Sequence, residues 1–291
     1  MTNTETIALA DSLVNELARA MSLPQTPPVK GILRALFGRA IDHAARLFLD
    51  VDRQAAEHGS AAAARWLLPR FVAGYTIHGA EIIPPSGPLI IAANHPAAYD
   101  AMVITASVER PDFKIIIGQV PPYHYLPNVS RHAIFSPHPK DTFGRMQTVR
   151  DAIQHLRAGG ALLIFPRGGI EPDPDFMPHP DADFHRWSRS LEIFLRRVPA
   201  ARILVTAVSG VISPRAMRHP ITWFRRARPD RQRLAFMYQI ICQAASGREC
   251  FGLRPRVTFG ELLSSADPHH LLAEVEQSAR RTLARHMAAA W

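Results

Sequence analysis

Hydrophobic residues along the chain change their spacing near residue 70, from a helical pattern to a strand-like one. After Pro27 and Pro28, apolar residues between Leu33 and Val51 recur every three or four positions, with charged residues elsewhere on the helical wheel. This spacing predicts an amphipathic helix within a helical region at 1–70. Its apolar stripe has two interpretations, which are packing on the protein's own core and docking onto a bilayer surface.

From residue 71 onwards, short apolar runs typical of strands alternate with longer helical patterns. Helices are predicted at 99–109, 142–158, 184–197, 229–245 and 267–288. Strands are predicted at 71–77, 88–93, 113–117, 161–165, 202–208 and 255–259. The alternation predicts an α/β domain at 71–291, with a mixed, largely buried sheet flanked by helices. Because sites in such folds gather at strand ends, the turns after the strands are the places to seek chemistry.

The turn after the strand predicted at 88–93 carries an unusual group of polar residues. Asn94, His95 and Asp100 stand where a helix is expected to begin. If residues 96–100 form its first turn, the Asp100 carboxylate can reach the His95 imidazole and fix its tautomer. A histidine held in this way has one ring nitrogen free to accept a proton near neutral pH. The alternative interpretation is a capping aspartate beside a structural histidine.

A second turn follows the strand predicted at 161–165. Pro166 and Arg167 are followed by the pair Gly168 and Gly169, and Glu171 comes two residues later. Paired glycines let the backbone approach a ligand closely and direct N–H groups at an anion. An ordinary glycine-containing turn is the alternative when this segment is considered alone.

The charge of the chain is concentrated in one segment. The formal net charge is +9, and residues 213–256 carry ten arginines but only two acidic residues. Within this Arg-rich segment, Trp223 and Phe224 precede Arg225, Arg226 and Arg228. Aromatic and cationic side chains together suit an anionic membrane surface, the phosphates of coenzyme A or an acidic carrier protein, or a nucleic acid. A solvated basic face without a specific role is the fourth possibility.

Other features narrow the class of protein. Two cysteines, Cys242 and Cys250, cannot build a disulfide framework or a cysteine-rich zinc site, so we expect a reducing compartment. We expect no metal, since His269 with His270 is better explained as a solvated helix start. The first twenty residues lack a signal-peptide pattern, and no apolar run is long enough to span a membrane. We therefore expect a peripheral protein on the cytoplasmic face of a membrane.

The two turns together resemble the glycerolipid acyltransferase family, which includes the 1-acylglycerol-3-phosphate and glycerol-3-phosphate acyltransferases. Asn94, His95 and Asp100 match its first motif, and residues 165–168 are similar to its Phe-Pro-Glu-Gly motif about 70 residues later. Its second motif would fall at 132–141 and its fourth at 203–210. The resemblance covers about residues 70–215. It implies transfer of an acyl group from acyl-CoA or acyl carrier protein to a hydroxyl of a lysophospholipid or glycerol-phosphate-like acceptor, with no cofactor.

The resemblance also implies roles for individual residues. His95 would be the general base and Asp100 would orient it. Backbone N–H groups of Gly168 and Gly169 would stabilise the oxyanion. The remaining candidates for substrate binding are Asn94, His138, Lys140, Arg145, Arg167 and Glu171.

This chain departs from the family pattern at the positions that hold the acceptor. Arg167 replaces the family's Glu, Gly169 replaces its Thr, and His138 stands near its usual Arg. Glu171 is a candidate to take over part of the missing carboxylate's role. The departures leave two alternatives open, which are a non-catalytic lipid-binding or acyl-binding relative and an Arg-rich nucleic-acid-binding protein. We expect no nucleic-acid partner.

Overall fold

The computed structural model describes residues 3–137, 141–264 and 267–289. Its first two helices are α1, Asn3–Ala20, and α2, Pro27–Leu67. Proline at the start of α2 suits a helix whose first N–H groups need no partner. Gly59, with φ of 82°, interrupts the regular helical conformation within α2. The N-terminal region is therefore helical, and its second helix is much longer than the stripe between Leu33 and Val51 indicated.

The remaining helices alternate with strands along the chain. They are α3, Tyr99–Ser107; α4, Pro127–Ser130; α5, Thr142–Arg157; α6, Trp187–Arg197; α7, Pro214–Met217; α8, Arg228–Ser246; and α9, Pro268–Ala288. The strands are β1, Thr76–His78; β2, Leu89–Ala93; β3, Phe113–Gly118; β4, Ala133–Ser136; β5, Ala161–Ile164; β6, Arg202–Ser209; and β7, Arg256–Leu263.

Within the described residues, seven strands form one sheet in the order β1-β7-β6-β2-β5-β3-β4. All neighbours are parallel except β6 and β7, which are antiparallel. The central strand β2 is buried at every position, as are β5 and nearly all of β6. The predicted α/β fold with a mixed, largely buried sheet is therefore confirmed.

Helices cover both faces of the sheet. One core packs α2, α3 and α8 against alternate strand residues such as Leu89, Ile91 and Leu163. The other core packs α5, α6 and α9 against Ile90, Leu162 and their neighbours. Because consecutive side chains of a strand point to opposite faces, a strand buried on both sides is apolar throughout. This is why the central strands were readable as continuous apolar runs.

Two strand predictions needed correction. The run predicted at 71–77 is a strand only from Thr76, because Phe71 and Val72 follow a helical turn and pack into the core from there. Strand β4 was not predicted at all. It is a four-residue edge strand beside β3, and only Ile134 of its side chains is fully buried. A strand this short and this exposed leaves little hydrophobic pattern in the sequence.

The apolar stripe of α2 packs mostly on the protein itself. Leu33, Ala40, Ile41 and Leu47 are buried, whereas Leu36 is 69% exposed. The carboxylate of Asp52 on α2 is also buried and accepts hydrogen bonds from Asn128 and from the main-chain N–H of Val129, each at 2.8 Å. Packing on the protein's own core therefore accounts for most of the stripe. The division of the chain at residue 70 stays a prediction.

None of the helices in the described part of the chain combines the length and hydropathy that a membrane-spanning helix requires.

Candidate active site

The two unusual turns lie side by side at one edge of the sheet. Strands β2 and β5 are parallel neighbours, with Ala92 paired to Ile164, so the segments that follow them leave the sheet together. His95 follows β2 and Phe165 follows β5. Their rings stack, with 4.2 Å between the ring centroids. The fold thus brings together the two segments that the sequence separates by about 70 residues.

His95 and Asp100 form a hydrogen-bonded pair. The distance from His95 Nδ1 to Asp100 Oδ2 is 2.9 Å. Asp100 lies in the first turn of α3, is fully buried, and also accepts hydrogen bonds from the main-chain N–H groups of Ala97 and Ala101. An ionised carboxylate accepts only, so the shared proton belongs to Nδ1 and the lone pair is on Nε2. The His95 side chain is 27% exposed, and no described residue bonds to Nε2.

The surroundings of His95 favour its protonated form. Burial alone lowers the pKa of the imidazole, but the charge and hydrogen bond of Asp100 and the charge of Glu171 together outweigh it. The pKa of His95 therefore lies above its ordinary value. Since only the neutral ring can accept a proton, this site is a better base at neutral to alkaline pH than at acidic pH.

Glu171 holds the main chain of the turn that carries His95. One carboxylate oxygen accepts from the His95 N–H at 3.0 Å, and the other accepts from Trp187 Nε1 at 3.0 Å. The Glu171 N–H donates in turn to the His95 carbonyl oxygen at 2.8 Å. Glu171 is fully buried, and burial raises its pKa to about 7 despite these donors. Predicted as a substrate ligand, Glu171 instead has both oxygens occupied by protein groups.

Asn94 is likewise occupied by the fold. Its side-chain amide donates to the Val208 carbonyl oxygen at 2.9 Å and accepts from the Val208 N–H at 2.7 Å. It is buried and links the end of β2 to β6. The structure therefore places Asn94 between two strands, beside the candidate base.

The glycine-containing turn has a different arrangement from the one expected for an oxyanion site. Gly168 adopts φ of 70°, a conformation that favours glycine, and its N–H donates to the Phe165 carbonyl oxygen at 2.9 Å. This N–H is already bonded within the turn, and its role as an oxyanion donor stays a prediction. The N–H of Gly169 has no acceptor among the described residues. A side chain at Gly169 would collide with the guanidinium of Arg167, which folds back over it.

The basic candidates divide into three groups. Arg167 is 20% exposed and pairs with Asp183 at 3.0 Å. Arg145 is exposed on the first turn of α5 and borders the same groove as Arg167. His138 and Lys140 lie outside the described residues.

Two site residues were missed because they come from α8, well beyond both turns. Gln232 is fully buried, and its amide nitrogen donates to the carbonyl oxygens of Pro96 and Glu171, each at 2.7 Å. Arg228 donates to Gln232 at 2.6 Å and to the Ile170 carbonyl oxygen at 3.3 Å. Gln232 thus joins the two turns directly. Neither residue belongs to a recognisable motif, so the sequence carried no signal for this link.

Arg228 belongs electrostatically to the site. Burial lowers its pKa, and Arg167 lowers it further, while Asp183 and Glu171 raise it. Arg228 therefore interacts electrostatically with Arg167, Asp183 and Glu171, and Glu171 in turn contacts His95. The Arg-rich segment is not one uniform surface, since Arg228 faces the candidate site whereas Arg226 is exposed.

A buried aspartate fixes the rest of the second turn. Asp173 accepts from the N–H groups of Gly210, Val211 and Ile212 at 2.8, 2.9 and 3.1 Å, and burial raises its pKa to about 6. These hydrogen bonds hold the segment after β5 against the residues that follow β6. Among the described residues, no group of His, Cys, Asp and Glu side chains could hold a metal ion.

Comparisons with known proteins give a match to a family model and a similarity to a solved structure. The sequence model of a family described as Acyltransferase matches residues 74–213. No curated protein matches the sequence. Among solved structures, the chain is similar to the 1-acyl-sn-glycerophosphate (LPA) acyltransferase PlsC from Thermotoga maritima, with 13% identity, a TM-score of 0.48 and complete coverage of both chains.

Proposed function

We propose, from the premise that residues 74–213 belong to the acyltransferase family, that this protein moves a fatty acyl group from a thioester to an acceptor hydroxyl. The donor is acyl-CoA or an acyl carrier protein, and the acceptor is a lysophospholipid or a glycerol-phosphate-like molecule. The observation that carries the proposal is the hydrogen bond between His95 Nδ1 and Asp100 Oδ2. It leaves Nε2 as the base at a partly exposed position.

In the proposed mechanism the acceptor hydroxyl gives its proton to Nε2 of His95. Its oxygen attacks the thioester carbonyl carbon and forms a tetrahedral intermediate. The carbon–sulfur bond then breaks, the thiolate leaves, and the protonated His95 returns the proton to sulfur. No acyl-enzyme forms. Asp100 stabilises the imidazolium between the two proton transfers and keeps the ring in the reactive tautomer.

The oxyanion needs a preorganised donor, typically worth about 2.7–4 kcal/mol in transition-state stabilisation. We assign this role to the N–H of Gly169, because the N–H of Gly168 is already bonded to Phe165.

We assign recognition of the acceptor's anionic group to Arg167 and Arg228. The guanidinium groups lie in one electrostatic neighbourhood beside the base, and Arg228 is partly buried there. Guanidinium groups bind phosphate and carboxylate through paired, charge-assisted hydrogen bonds. Two arginines at the site favour an anionic acceptor. They would replace the arrangement that the family builds around its Glu.

The paired base and its buried aspartate also bear on the rival functions. A non-catalytic lipid-binding relative has no use for an imidazole whose tautomer is fixed and whose second nitrogen is open. Binding of a nucleic acid would not explain why Gln232 donates hydrogen bonds to both turns. The site geometry therefore favours an enzyme.

We further propose that the protein docks on an anionic membrane surface. Trp223 and Phe224, in a short 3₁₀ turn at Pro220–Phe224, are 69% and 81% exposed. Arg225 donates to Ser22 at 3.1 Å, which places this turn beside the connection between α1 and α2. Exposed aromatic rings with neighbouring arginines suit the interface of an anionic bilayer. The partners would then be the acyl donor, the lipid acceptor and the membrane.

Mass spectrometry of lipid products tests the proposed reaction. The protein is incubated with acyl-CoA or acyl carrier protein donors and a panel of lysophospholipids, glycerol phosphate and non-phosphorylated hydroxy-acyl acceptors. We expect a new ester that appears with wild-type protein and is absent with His95→Ala. His270→Ala, at an exposed histidine on α9, is the control and should keep the activity. Equal turnover by His95→Ala would overturn the mechanism.

A further inference from the structure

Helices α5 and α6 leave an open groove between them on one face of the sheet. The groove has a volume of about 1550 Å³. The apolar part of its lining consists of Ile116 and Ile164 from the sheet, Val149 and Ile153 from α5, and Phe194 from α6. An open groove lined partly by apolar side chains is a candidate binding surface.

One end of the groove adjoins the candidate active site. Pro166 and Arg167 line it, and they directly follow Phe165, whose ring stacks on His95. The opposite end is bordered by Arg157 and Arg197. Because Thr142 at the start of α5 also lines the groove, it follows the whole helix, which spans about 24 Å at 1.5 Å per residue.

The edges of the groove are strongly basic. Its described lining contains arginines but no aspartate or glutamate, and these arginines are Arg145, Arg150, Arg157, Arg167, Arg186 and Arg197. Asp183 pairs with Arg167 and Arg186. The side chains of Arg145, Arg150 and Arg197 form no ion pair with any residue that the structure describes. Uncompensated positive charge is therefore distributed along both helices.

Exposed apolar side chains accompany these charges. Met146 on α5 is 51% exposed and Ile193 on α6 is 48% exposed, and both line the groove. Apolar anchors inside a charged rim are typical of protein–protein interfaces. Coenzyme A carries its phosphates at one end, so it would need a single cationic cluster rather than arginines on both helices.

We propose that this groove is the docking site for an acidic, amphipathic helix of the protein that carries the acyl thioester. The apolar face of the helix packs on the groove lining, and its carboxylates meet the arginines on both edges. A helix of about 10–12 Å diameter and four to five turns matches the length available. Docked there, the carrier presents its thioester at the Arg167 end, next to His95. The inference rests on the proposed acyl transfer.

A double charge reversal away from the active site tests the docking. In Arg150→Glu/Arg197→Glu, we expect KM for the carrier-bound donor to rise by at least about tenfold, with KM for acyl-CoA unchanged. Binding of acyl-free carrier protein, measured by calorimetry, should weaken in parallel and should weaken with added salt for the wild type. Arg215→Glu/Arg248→Glu, two exposed arginines on the other side of the sheet, is the matched control.

The outcomes separate the docking from the proposed reaction. An unchanged KM and affinity for the carrier in the groove variant overturns the docking and leaves acyl transfer intact. An equal rise in KM for acyl-CoA also overturns it, because the groove would then hold the nucleotide. If neither donor supports transfer by the wild type but the carrier still binds in a groove-dependent way, acyl transfer fails and the docking stands. Thermal unfolding of each variant checks that the fold is retained.

Discussion

The carboxylate of Glu171 accepts a hydrogen bond from the main-chain N–H of His95 at 3.0 Å, and the Glu171 N–H returns one to the His95 carbonyl oxygen at 2.8 Å. The two residues are thereby linked at the main chain, while Asp100 orients the imidazole from the other side. The family motif has its carboxylate four positions earlier, where this chain has Arg167. In this site, Glu171 is a positioning residue.

Replacing Glu171 with Gln should shift the pH dependence of the reaction. Asp100 and Glu171 both raise the pKa of His95, and activity requires the neutral ring. The pKa of Glu171 is itself about 7, so its negative charge acts on His95 mainly above that pH. Removing this charge lowers the pKa of His95, and the acid limb of the kcat/KM profile should move to lower pH. The Gln oxygen can still accept from the His95 N–H, while its NH₂ group then replaces the acceptor of Trp187 Nε1. Thermal unfolding checks that the variant is folded, and turnover of the folded variant at high pH should be close to wild type. A limb that stays in place would show that Glu171 has no electrostatic role.

Replacing Asp100 with Asn should remove most of the activity without unfolding the protein. With the Asn oxygen at the Oδ1 position, where it still accepts from Ala101, its NH₂ group takes the Oδ2 position and faces His95 Nδ1. The imidazole then carries its proton on Nε2 and cannot act as a base. We expect kcat to fall by about 10²- to 10⁴-fold. Asp151→Asn, at an exposed aspartate on α5, should have no effect, and a small loss in Asp100→Asn would contradict the mechanism.

Replacing Gln232 with Ala should lower both stability and kcat. The change leaves the carbonyl oxygens of Pro96 and Glu171 without their shared donor inside the protein. We expect the free energy of unfolding to fall by about 1–3 kcal/mol, measured by urea denaturation. Because the two turns lose their direct link, kcat should fall even at temperatures where the variant is folded. Gln147→Ala, on the exposed side of α5, should change neither quantity.

Replacing Arg228 with Gln should weaken binding of the anionic acceptor. Arg228 and Arg167 are electrostatically coupled beside the base, and a charge-assisted contact is worth about 1.5–3 kcal/mol. We expect KM for a water-soluble phosphate-bearing acceptor to rise by roughly tenfold to a hundredfold, with KM for the donor unchanged. Arg226→Gln is the comparison, since Arg226 lies two residues away but is exposed. Equal KM values for the two variants would remove Arg228 from the acceptor site.

Replacing Trp223 and Phe224 with Ala should reduce binding to anionic vesicles. The two rings are exposed beside Arg225 and Arg226, so they are free to enter the interfacial region of a bilayer. Sedimentation with vesicles containing an anionic lipid measures the effect, and turnover of water-soluble substrates should persist. Met287→Ala, at another exposed apolar position, is the control. Unchanged sedimentation of the double variant would exclude this turn from the membrane contact.

The parts of the fold that were predictable are those with strong local patterns. Buried central strands such as β2 and β5 are apolar at every position, and the amphipathic helices between them follow a regular spacing. The edge strand β4 was not predicted, because most of its side chains are only partly buried and leave no continuous apolar run. The pairing of His95 with Asp100 was predictable because the two residues are only five apart, although α3 begins at Tyr99 and not at residue 96 as expected.

The contacts that complete the site were not predictable, because they join distant parts of the chain. Gln232 reaches both turns from more than sixty residues beyond Glu171 and has no motif of its own. Arg228 was grouped with its arginine neighbours by composition, and only the tertiary structure separates it from Arg226. The occupied N–H of Gly168 likewise depends on the conformation of its turn rather than on residue type.

The buried carboxylate of Asp52 has a consequence for shortened forms of the protein. It accepts hydrogen bonds from the N–H groups of Asn128 and Val129, at the start of α4. A chain reduced to residues 71–291 would leave those donors unsatisfied. It would also lack Leu47 and Leu67 and would uncover the sides of α3 and α8 that pack against α2. The N-terminal helices therefore pack into the hydrophobic cores of the protein. Deleting them to isolate a shorter fragment would expose an apolar surface that favours aggregation.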